Sequence, residues 1–429
     1  MDTIFALATA PGKSGVAVIR ISGPKAFVLG QGMAGSLPAP RGSALRVLKD
    51  AQGEFLDQAL VLCFEGPSSF TGENIVEFQI HGSPAIISAV LNRLSEFDDA
   101  RMAEPGEFTR RALENDRMDL AQVEGLGDLI ESETEAQRKQ ALRTFSGHLG
   151  TKVEAWRSKL IRAMALLEVT IDFADEEVPE DVYPEVGQLL SSLATDFKGE
   201  IEGSYVAERV RSGFEIAIIG APNVGKSTLL NALAGRDAAI TSHIAGTTRD
   251  VVEVRMDLKG LPVTVLDTAG LRETEDEIEQ IGIARALQRA EQSDLRVILS
   301  ETGTAPDSVI AESSDLLVRA KSDLTDVSRG LSVSGKTGAG VDSLVDAIHD
   351  RLVALVGSVG TATHARHRAA FKAAEASISR AQEGIASDLP VELVVEDLRQ
   401  ATIHLESLVG RVGIEDVLGD VFSSFCLGK

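Results

Sequence analysis

The sequence from Phe214 to Ser227, FEIAIIGAPNVGKS, sets the architecture of the segment around it. Its first six residues form a short apolar run ending at Gly220, which is typical of a buried parallel strand. The next eight residues fit the G-x-x-x-x-G-K-[ST] phosphate loop. Glycines let backbone N–H groups curl around phosphates, and a helix predicted from Lys226 to Ala234 points its positive end at the same phosphates. The pattern therefore predicts a nucleoside triphosphate site.

Two side chains of this loop have direct chemical roles. Lys226 would neutralise the β- and γ-phosphates, and the Ser227 hydroxyl would hold Mg²⁺. The alternative is a chance glycine-rich turn, but a strand before the loop and a helix after it argue against that.

Length and charge limit the classes of function. The chain has 429 residues, enough for two to four domains that each bury a core. Its net charge is −23. Because an acidic surface repels nucleic acid and membranes alike, any RNA partner must be met through a local basic patch or through another protein.

Cysteine usage and hydropathy predict a cytoplasmic location. Only Cys63 and Cys426 are present, so no disulfide framework or zinc site is expected. The first residues lack the apolar core of a signal peptide, and no run approaches the roughly 20 apolar residues that span a membrane.

Residues 1–117 are predicted to form a small α+β domain. Strands are expected at Val16–Ile21, Ala59–Phe64 and Ile75–Ile80, with a helix at Pro84–Leu94. Arg20 and Glu77 interrupt two of these apolar strands. Either each side chain points out of the sheet into water, or the two line a polar pocket.

Helical periodicity replaces this pattern in residues 118–211 and returns in residues 358–429. Apolar residues from Leu142 to Leu167 recur at steps of three and four, which predicts one long amphipathic helix. More helix is predicted from Glu185 to about Arg211. Two helical parts on either side of residues 212–357 indicate a single discontinuous helical domain with another domain inserted into it.

The inserted domain alternates strands with helices, as in doubly wound α/β folds. Further strands are expected at Val251–Asp257, Val263–Leu266, Leu295–Leu299 and Leu316–Arg319. Thr248, in the loop Gly246-Thr-Thr-Arg-Asp250, could complete the Mg²⁺ shell. In the run Asp267-Thr268-Ala269-Gly270, Asp267 would reach Mg²⁺ through water and the Gly270 N–H could touch the γ-phosphate.

Two later motifs predict a guanine-specific base site. The Asp323 carboxylate of Lys321-Ser-Asp323 can accept hydrogen bonds from the guanine N1 and N2 edge, which adenine cannot offer. Ser334-Gly335-Lys336 would supply backbone N–H to the guanine oxygen. Ala320 replaces the usual asparagine before Lys321, which should cost on the order of 1 kcal/mol of affinity. Five motifs in order predict a Ras-like, GTP-binding P-loop domain.

Over nearly its whole length the chain resembles the MnmE, or TrmE, family of tRNA-modifying GTPases. The resemblance rests on ATAPGKSGVAVIRISG, EPGEFTRRALENDRMDLAQVEG, GAPNVGKSTLLNAL, IAGTTRDVVE, DTAGLRETEDEIEQIGI and the terminal CLGK. It implies a P-loop GTPase domain carried by a folate-binding domain and a helical domain.

The resemblance also implies a mechanism without an arginine finger. Two GTPase domains would meet across their nucleotides around K⁺, coordinated through Asn223 and helped by Ser242, Ile244 and Thr247. Glu279 would act on the attacking water through a second water, although an acidic run alone is usually a solvated face. The nucleotide-binding set becomes Asn223, Val224, Gly225, Lys226, Ser227, Thr228, Ser242, His243, Ile244, Ala245, Gly246, Thr247, Thr248, Asp267, Thr268, Ala269, Gly270, Lys321, Asp323, Ser334, Gly335 and Lys336.

For the first domain the resemblance implies a tetrahydrofolate derivative, of the 5-formyl or methylene type. The corresponding contacts are Arg20, Glu77, Arg117 and the C-terminal Lys429. Arg117 stands where lysine is common, which keeps the charge but changes the donor geometry. Cys426 is implied to be a residue needed for modification. Without the family it would be interpreted as a stray surface cysteine.

The implied assembly is a homodimer joined through the first domains. With the FAD-dependent protein MnmG (GidA) it would add an aminomethyl-type group at C5 of the wobble uridine of certain tRNAs, and tRNA would bind mostly through that complex. Two alternatives remain open at this stage: a ribosome-assembly GTPase that modifies nothing, and a folate-binding scaffold with a degenerate GTPase domain.

Overall fold

The computed structural model describes residues 2–172, 182–235, 253–267, 291–305, 310–324, 330–356 and 360–412, with residues 418, 419, 421, 422, 425 and 428. The chain divides into two compact units, Met1–Gly127 with Glu406–Lys429, and Asp128–Leu405. The four-segment domain boundaries given above stay predictions.

A six-stranded mixed sheet organises the first unit, with strand order β3-β4-β5-β2-β1-β6. Its strands are β1 Thr3–Leu7, β2 Ser14–Ser22, β3 Ser43–Lys49, β4 Phe55–Phe64, β5 Ile75–Gly82 and β6 Ala100–Met102. Its helices include α1 Ala26–Ala34, α2 Pro84–Ser95, α3 Glu107–Glu114 and α4 Leu120–Glu131, whose last four residues belong to the second unit. The three predicted strands and the predicted helix at Pro84 are confirmed.

Side-chain alternation gives this sheet two different faces. One face of β4 turns Ala59, Val61 and Cys63 into a core that also contains Leu29 of α1 and Val90 of α2. The period of two along a strand then places the intervening residues on the opposite face. That second face carries the polar residues discussed below.

Helices dominate the second unit. They are α5 Glu135–Phe145, α6 His148–Asp172, α7 Tyr183–Ser212, α8 Lys226–Ala234, α9 Val341–Leu355, α10 Ala365–Ala386 and α11 Val391–Leu408, whose last three residues belong to the first unit. Trp156 of α6 packs edge-on against Phe197 of α7 and Phe371 of α10, with ring centroids 5.4 Å apart in both pairs. These contacts join the helical part before the GTPase motifs to the part after them.

The prediction of one continuous helix from Leu142 to Leu167 is wrong. Helix α5 ends at Phe145, and α6 begins at His148. Gly147 has φ +84°, a left-handed conformation that ends helices and that glycine adopts without steric cost. Both helices pack on α7, so the apolar spacing continues across the break and periodicity alone could not reveal it.

The second sheet has the order β11-β10-β7-β9-β8. Its strands are β7 Phe214–Gly220, β8 Glu253–Leu258, β9 Leu261–Asp267, β10 Leu295–Ser300 and β11 Leu316–Arg319, which confirms the five predicted strands of this domain. All neighbours are parallel except β8, which runs antiparallel to β9. Strand β7 is central, so its carboxyl end opens between two parallel neighbours, where open α/β sheets bind ligands. In the described residues, no helix is both long and apolar enough to cross a membrane.

Candidate functional site

The phosphate loop lies where β7 passes into α8. Gly220 ends the strand, and a Cβ on it would lie 2.5 Å from the carbonyl oxygen of Leu299, so only glycine fits. Gly225 precedes the helix with φ +112°, and Asn223 has φ +60°. These left-handed residues fold the loop back above the first turn of α8. Loops of this shape turn successive N–H groups to one side, as an anion site requires.

Lys226 occupies the centre of this loop and is mostly buried. Its Nζ donates hydrogen bonds to the carbonyl oxygens of Gly220, at 2.7 Å, and Ala221, at 3.1 Å. These two hydrogen bonds hold the ammonium group at the loop. Val224 is buried beneath it, whereas Ser227 and Thr228 are exposed at the helix start.

Asp267 is the last residue of β9, and it lies opposite Ile218 in the register with β7. Ile218 lies two residues before Gly220, so the backbone brings Asp267 to the end of the sheet that carries the phosphate loop. The remaining predicted switch residues fall outside the described residues: Ser242, His243, Ile244, Ala245, Gly246, Thr247, Thr248, Thr268, Ala269, Gly270 and Glu279.

The two predicted guanine segments meet at the same helix. A Cβ on Gly335 would lie 2.7 Å from the backbone nitrogen of Leu229, so this loop packs directly on the first turn of α8. The Ser322 N–H donates to the carbonyl oxygen of Val333 at 3.1 Å, which ties the segment carrying Asp323 to the segment carrying Gly335.

Electrostatics at Asp323 favour an ionised acceptor. A hydrogen bond from the Ser334 hydroxyl lowers the pKa of the Asp323 carboxyl below its ordinary value, and the charges of Lys336 and Lys321 act in the same direction. Lys321 is held with φ +57° and pairs with Glu301. An exposed carboxylate fixed in this way can accept two N–H donors from a guanine edge.

Ala320 is buried in the apolar core that also contains Val224 and Val318. Its backbone N–H donates to the carbonyl oxygen of Ser300 at 2.9 Å. The methyl group at this position offers no side-chain donor or acceptor to a bound base.

In the first unit, the sheet brings Arg20 and Glu77 together. They are cross-strand partners on β2 and β5, and Arg20 Nε donates to Glu77 Oε1 at 2.8 Å. The side chains are only 20% and 17% exposed, so the two residues form a half-buried ion pair and do not simply point into water, as one of the two possibilities left open by the sequence would have it. The Arg20 guanidinium also lies 5.2 Å from the ring centroid of Phe70.

Arg117 lies beside the same loop. A Cβ on Gly72 would be 3.3 Å from its Cγ, and Gly72 is two residues from Phe70. The side chain of Arg117 is exposed. Arg20 and Arg117 therefore both lie beside this loop, and Glu77 is paired with Arg20. Lys429 and Cys426 fall outside the described residues.

This unit also contains a buried charge cluster that the sequence motifs did not indicate. Arg111 donates to Glu107 at 2.9 Å and to Glu73 at 3.1 Å, and Arg101 donates to Glu107 at 2.6 Å. Burial raises the pKa of the Glu107 carboxyl, but hydrogen bonds from Arg101, the Glu104 N–H and Arg111 outweigh it and lower the pKa overall. The i, i+4 spacing of Glu107 and Arg111 was a signal that could have revealed this pair.

Two family models match the chain. The model described as GTP-binding protein TrmE N-terminus matches residues 3–117, and the model described as MnmE helical domain matches residues 120–426. Among curated relatives, the tRNA modification GTPase MnmE of Dinoroseobacter shibae is 65% identical over 429 residues, covering all of both chains. The protein of the same name from Roseobacter denitrificans is 57% identical over 433 residues, again at full coverage of both.

Solved structures are similar to part of the chain. Era of Aquifex aeolicus, in a crystal structure with GDP.AlF4⁻, is 28% identical over 32% of this chain and 56% of Era, with a TM-score of 0.25. The FeoB G-domain of Methanococcus jannaschii is 26% identical over 33% of this chain and 97% of the domain, with a TM-score of 0.23.

Proposed function

Since the chain belongs to the MnmE family of tRNA modification GTPases, we propose that it hydrolyses GTP at the interface of two copies of its G domain with K⁺ as a cofactor. It is a GTP hydrolase that acts in tRNA modification. The observation that supports the site assignment is the packing of the Gly335 loop on the first turn of α8, since the segment that carries the Asp323 carboxylate is hydrogen-bonded to the segment that carries Gly335.

The residues present fit the cations this mechanism needs. Mg²⁺ prefers oxygen ligands, and Ser227 exposes a hydroxyl at the helix start while Asp267 ends the neighbouring strand. Asn223 is exposed at the tip of the loop, where its amide oxygen can serve K⁺. Bound there, the two ions would supply positive charge against the charge that develops on the phosphates in the transition state.

The protein groups act by position. Lys226 would exchange its two loop carbonyls for phosphate oxygens, and the loop N–H groups would hold the same phosphates. Asp323 would orient the base through guanine N1 and N2. For the attacking water, we propose Glu279 as the orienting group, with Thr248 and the Gly270 N–H at the Mg²⁺ and γ-phosphate positions.

The cation proposal predicts that GTP hydrolysis is faster in K⁺ than in Na⁺ at equal ionic strength. Because an arginine finger is worth about 10³–10⁵-fold in kcat, a cation replacing its charge should give at least about tenfold stimulation. Phosphate release in the two salts measures it. Equal slow rates would point instead to a switch GTPase of the ribosome-assembly kind, and no turnover to a folate-binding scaffold.

Glu279→Ala should abolish most of the stimulated rate.

We also propose that the protein is a homodimer joined through its first units. On β3 and β4 the uncovered sheet face exposes Leu45 and Leu60, which are register partners. Val47 of β3 and Phe55 at the start of β4 are exposed as well. β3 is the edge strand of the sheet, and an exposed apolar patch at a sheet edge is normally covered by a partner. Light scattering without nucleotide should give twice the 45.5 kDa chain mass, and a monomer mass would contradict the proposal.

We also propose a folate site in the first unit. The FAD-dependent protein MnmG would be the partner that, together with this chain, adds the aminomethyl-type group at C5 of wobble uridine. Arg20, Glu77 and Arg117 fit a tetrahydrofolate derivative, since cationic groups suit its glutamate tail and a carboxylate suits the donor edge of the pterin. Phe70 adds an aromatic face beside Arg20. Lys429 and Cys426 are proposed neighbours. Mass spectrometry of wobble uridines from cells lacking the protein tests the modification.

Arg20→Lys is expected to weaken binding of 5-formyltetrahydrofolate about tenfold. Lysine keeps the charge but cannot pair with Glu77 and the ligand through a planar fork. Calorimetric titration measures the change. Lys49→Ala, at an exposed position of β3, should bind as the wild type does. Unchanged affinity in Arg20→Lys would remove Arg20 from the site.

A further inference from the structure

Guanine recognition in this chain depends on one carboxylate more than is usual. Ala320 stands where the usual motif has asparagine, is buried in the apolar core, and gives its N–H to the carbonyl oxygen of Ser300. It therefore offers no side-chain hydrogen bond to a base. The Asp323 carboxylate, which can accept from guanine N1 and N2, must supply more of the recognition. A protein group that occupies this carboxylate competes with the base.

A lysine close to Asp323 is such a competitor. Lys321 lies two residues before it, in a turn closed by a hydrogen bond from the Leu324 N–H to the Lys321 carbonyl oxygen at 3.0 Å. The Ser334 hydroxyl does most to lower the pKa of the Asp323 carboxyl, and the charge of Lys321 also contributes. Lysine carries a point charge on a flexible four-carbon stem, so its ammonium can turn to any carboxylate within reach.

In the structure a different carboxylate holds the Lys321 ammonium. Its Nζ donates to Oε1 of Glu301, and among the described residues no ion pair joins Lys321 to Asp323. Asp323 accepts from the Ser334 hydroxyl instead. The Lys321 and Glu301 side chains are 39% and 58% exposed, and an exposed pair contributes little to folding stability. The consequence of the pair is therefore local, since it decides which of two carboxylates holds the ammonium.

The backbone fixes the position of Glu301. It is the first residue after β10, and the residues on either side of it are both hydrogen-bonded to the end of β11. The carbonyl oxygen of Ser300 accepts the Ala320 N–H at 2.9 Å, and that of Thr302 accepts Arg319 Nη2 at 2.6 Å. The Thr302 N–H also donates to Ser300 Oγ at 3.3 Å. Glu301 is thus presented from one strand to its parallel neighbour in a fixed register.

The backbone of Lys321 is constrained as well. Its φ is +57°, a left-handed conformation that is uncommon for a residue with a Cβ. Such conformations persist where the surrounding contacts over-determine them, and they cluster at ligand-binding positions. Here the Leu324 N–H holds the backbone and the Glu301 carboxylate holds the ammonium. Both ends of Lys321 are therefore fixed in the arrangement that leaves Asp323 to Ser334.

We propose that Glu301 is a positioning residue for guanine binding, which holds the Lys321 ammonium away from Asp323 and so keeps that carboxylate open to guanine N1 and N2. Without the Glu301 charge, the ammonium turns to Asp323, and a base must displace it before it can bind. The effect falls on the base of a guanine nucleotide and not on its phosphates. The inference rests on the proposed function for the guanine contact of Asp323.

Glu301→Gln tests the proposal, because it removes the charge at nearly constant shape. GDP affinity of the full-length protein, measured by calorimetric titration, should fall about fivefold, the size expected of an exposed ion pair. Affinity for inorganic pyrophosphate, which has no base, should not change. KM for GTP should rise by a similar factor while kcat changes less than about twofold, since binding is lost equally from the ground and transition states. Glu312→Gln, which removes an exposed carboxylate paired with Arg296 in the same domain, should match the wild type.

A double-variant cycle separates positioning from a general structural role. Lys321→Met keeps an unbranched stem but removes the charge, so Glu301→Gln should have no further effect on GDP affinity in that background. A fivefold loss that persists beside Lys321→Met would overturn the assignment. An equal loss of pyrophosphate affinity in Glu301→Gln, or GDP affinity equal to that of the wild type, would overturn it too. Thermal unfolding should show that each variant is folded.

Asp323→Asn distinguishes this inference from the proposed function. The amide has one acceptor oxygen and no charge, so GDP affinity should fall at least about tenfold. Unchanged GDP affinity in Asp323→Asn would count against the guanine site itself, and hence against the proposed function. Weakened binding by Asp323→Asn, together with normal binding by Glu301→Gln, would overturn only the role of Glu301.

Discussion

Replacing Lys226 by alanine should lower kcat for GTP hydrolysis about 10²- to 10³-fold, equivalent to roughly 2.7–4 kcal/mol of transition-state stabilisation. The ammonium group is already directed at the phosphate loop by hydrogen bonds to the carbonyl oxygens of Gly220 and Ala221. A group fixed before the reaction stabilises developing charge without the cost of reorganisation. Without it, the loop N–H groups and the proposed cations would have to stabilise that charge alone.

The measurement is phosphate release at saturating GTP, accompanied by GDP affinity and thermal unfolding. Lys198→Ala is the matched control, because Lys198 is an exposed lysine of α7 in the same unit. It should have wild-type kcat. If Lys226→Ala is folded and retains more than about a tenth of the wild-type rate, the loop described here is not the catalytic phosphate site.

Replacing Arg111 by leucine should lower the unfolding free energy of the first unit by about 3–5 kcal/mol. Arg111 and Glu107 are 5% and 4% exposed, and Glu73 is nearly as buried. Without the guanidinium, Glu73 loses this pairing and keeps the Ser22 hydroxyl, and among the described residues Glu107 keeps Arg101 and the Glu104 N–H. A buried carboxylate that loses its partner is far more costly than a lost surface pair.

Acid should also lower the free energy of unfolding of the first unit in the wild-type protein. The folded-state pKa of Glu107 is lowered relative to the unfolded chain, so its stabilisation is fully present above the unfolded value of about 4.3 and is lost as pH falls through the folded value. In Arg111→Leu this dependence should be smaller, because less of the pairing that lowers the pKa remains.

Hydrogen exchange of peptides from β2, β5 and α3 is the appropriate measurement. The only tryptophan and both tyrosines, Trp156, Tyr183 and Tyr205, lie in the second unit, so intrinsic fluorescence does not report on the first. Arg110→Leu, on the same helix, removes an exposed pair with Glu104 and should cost less than about 1 kcal/mol. Equal protection in the two variants would contradict the account of the cluster.

Local sequence was sufficient for the phosphate loop and for the strands around it. Phe214–Gly220 and Lys226–Ala234 form the predicted elements because apolar runs, glycine and helix propensity act over a few residues. The resemblance to the MnmE family was confirmed because the motifs that carry it are themselves local. Predictions for Ser242–Thr248, Glu279 and Cys426 remain predictions.

Contacts between residues far apart in sequence could be identified only from the tertiary structure. The choice between a solvated and a paired Arg20 depended on the register of β2 with β5, which sets Arg20 opposite a residue 57 positions away. Gly147 divides a helix whose apolar spacing runs on unbroken, since packing on α7 maintains that spacing on both sides. Thr363 and Arg143 line the same cavity, although more than 200 residues of chain separate them. Periodicity and motifs report on neighbours in sequence, whereas side chains that share a pocket are brought together by the burial of the core as a whole.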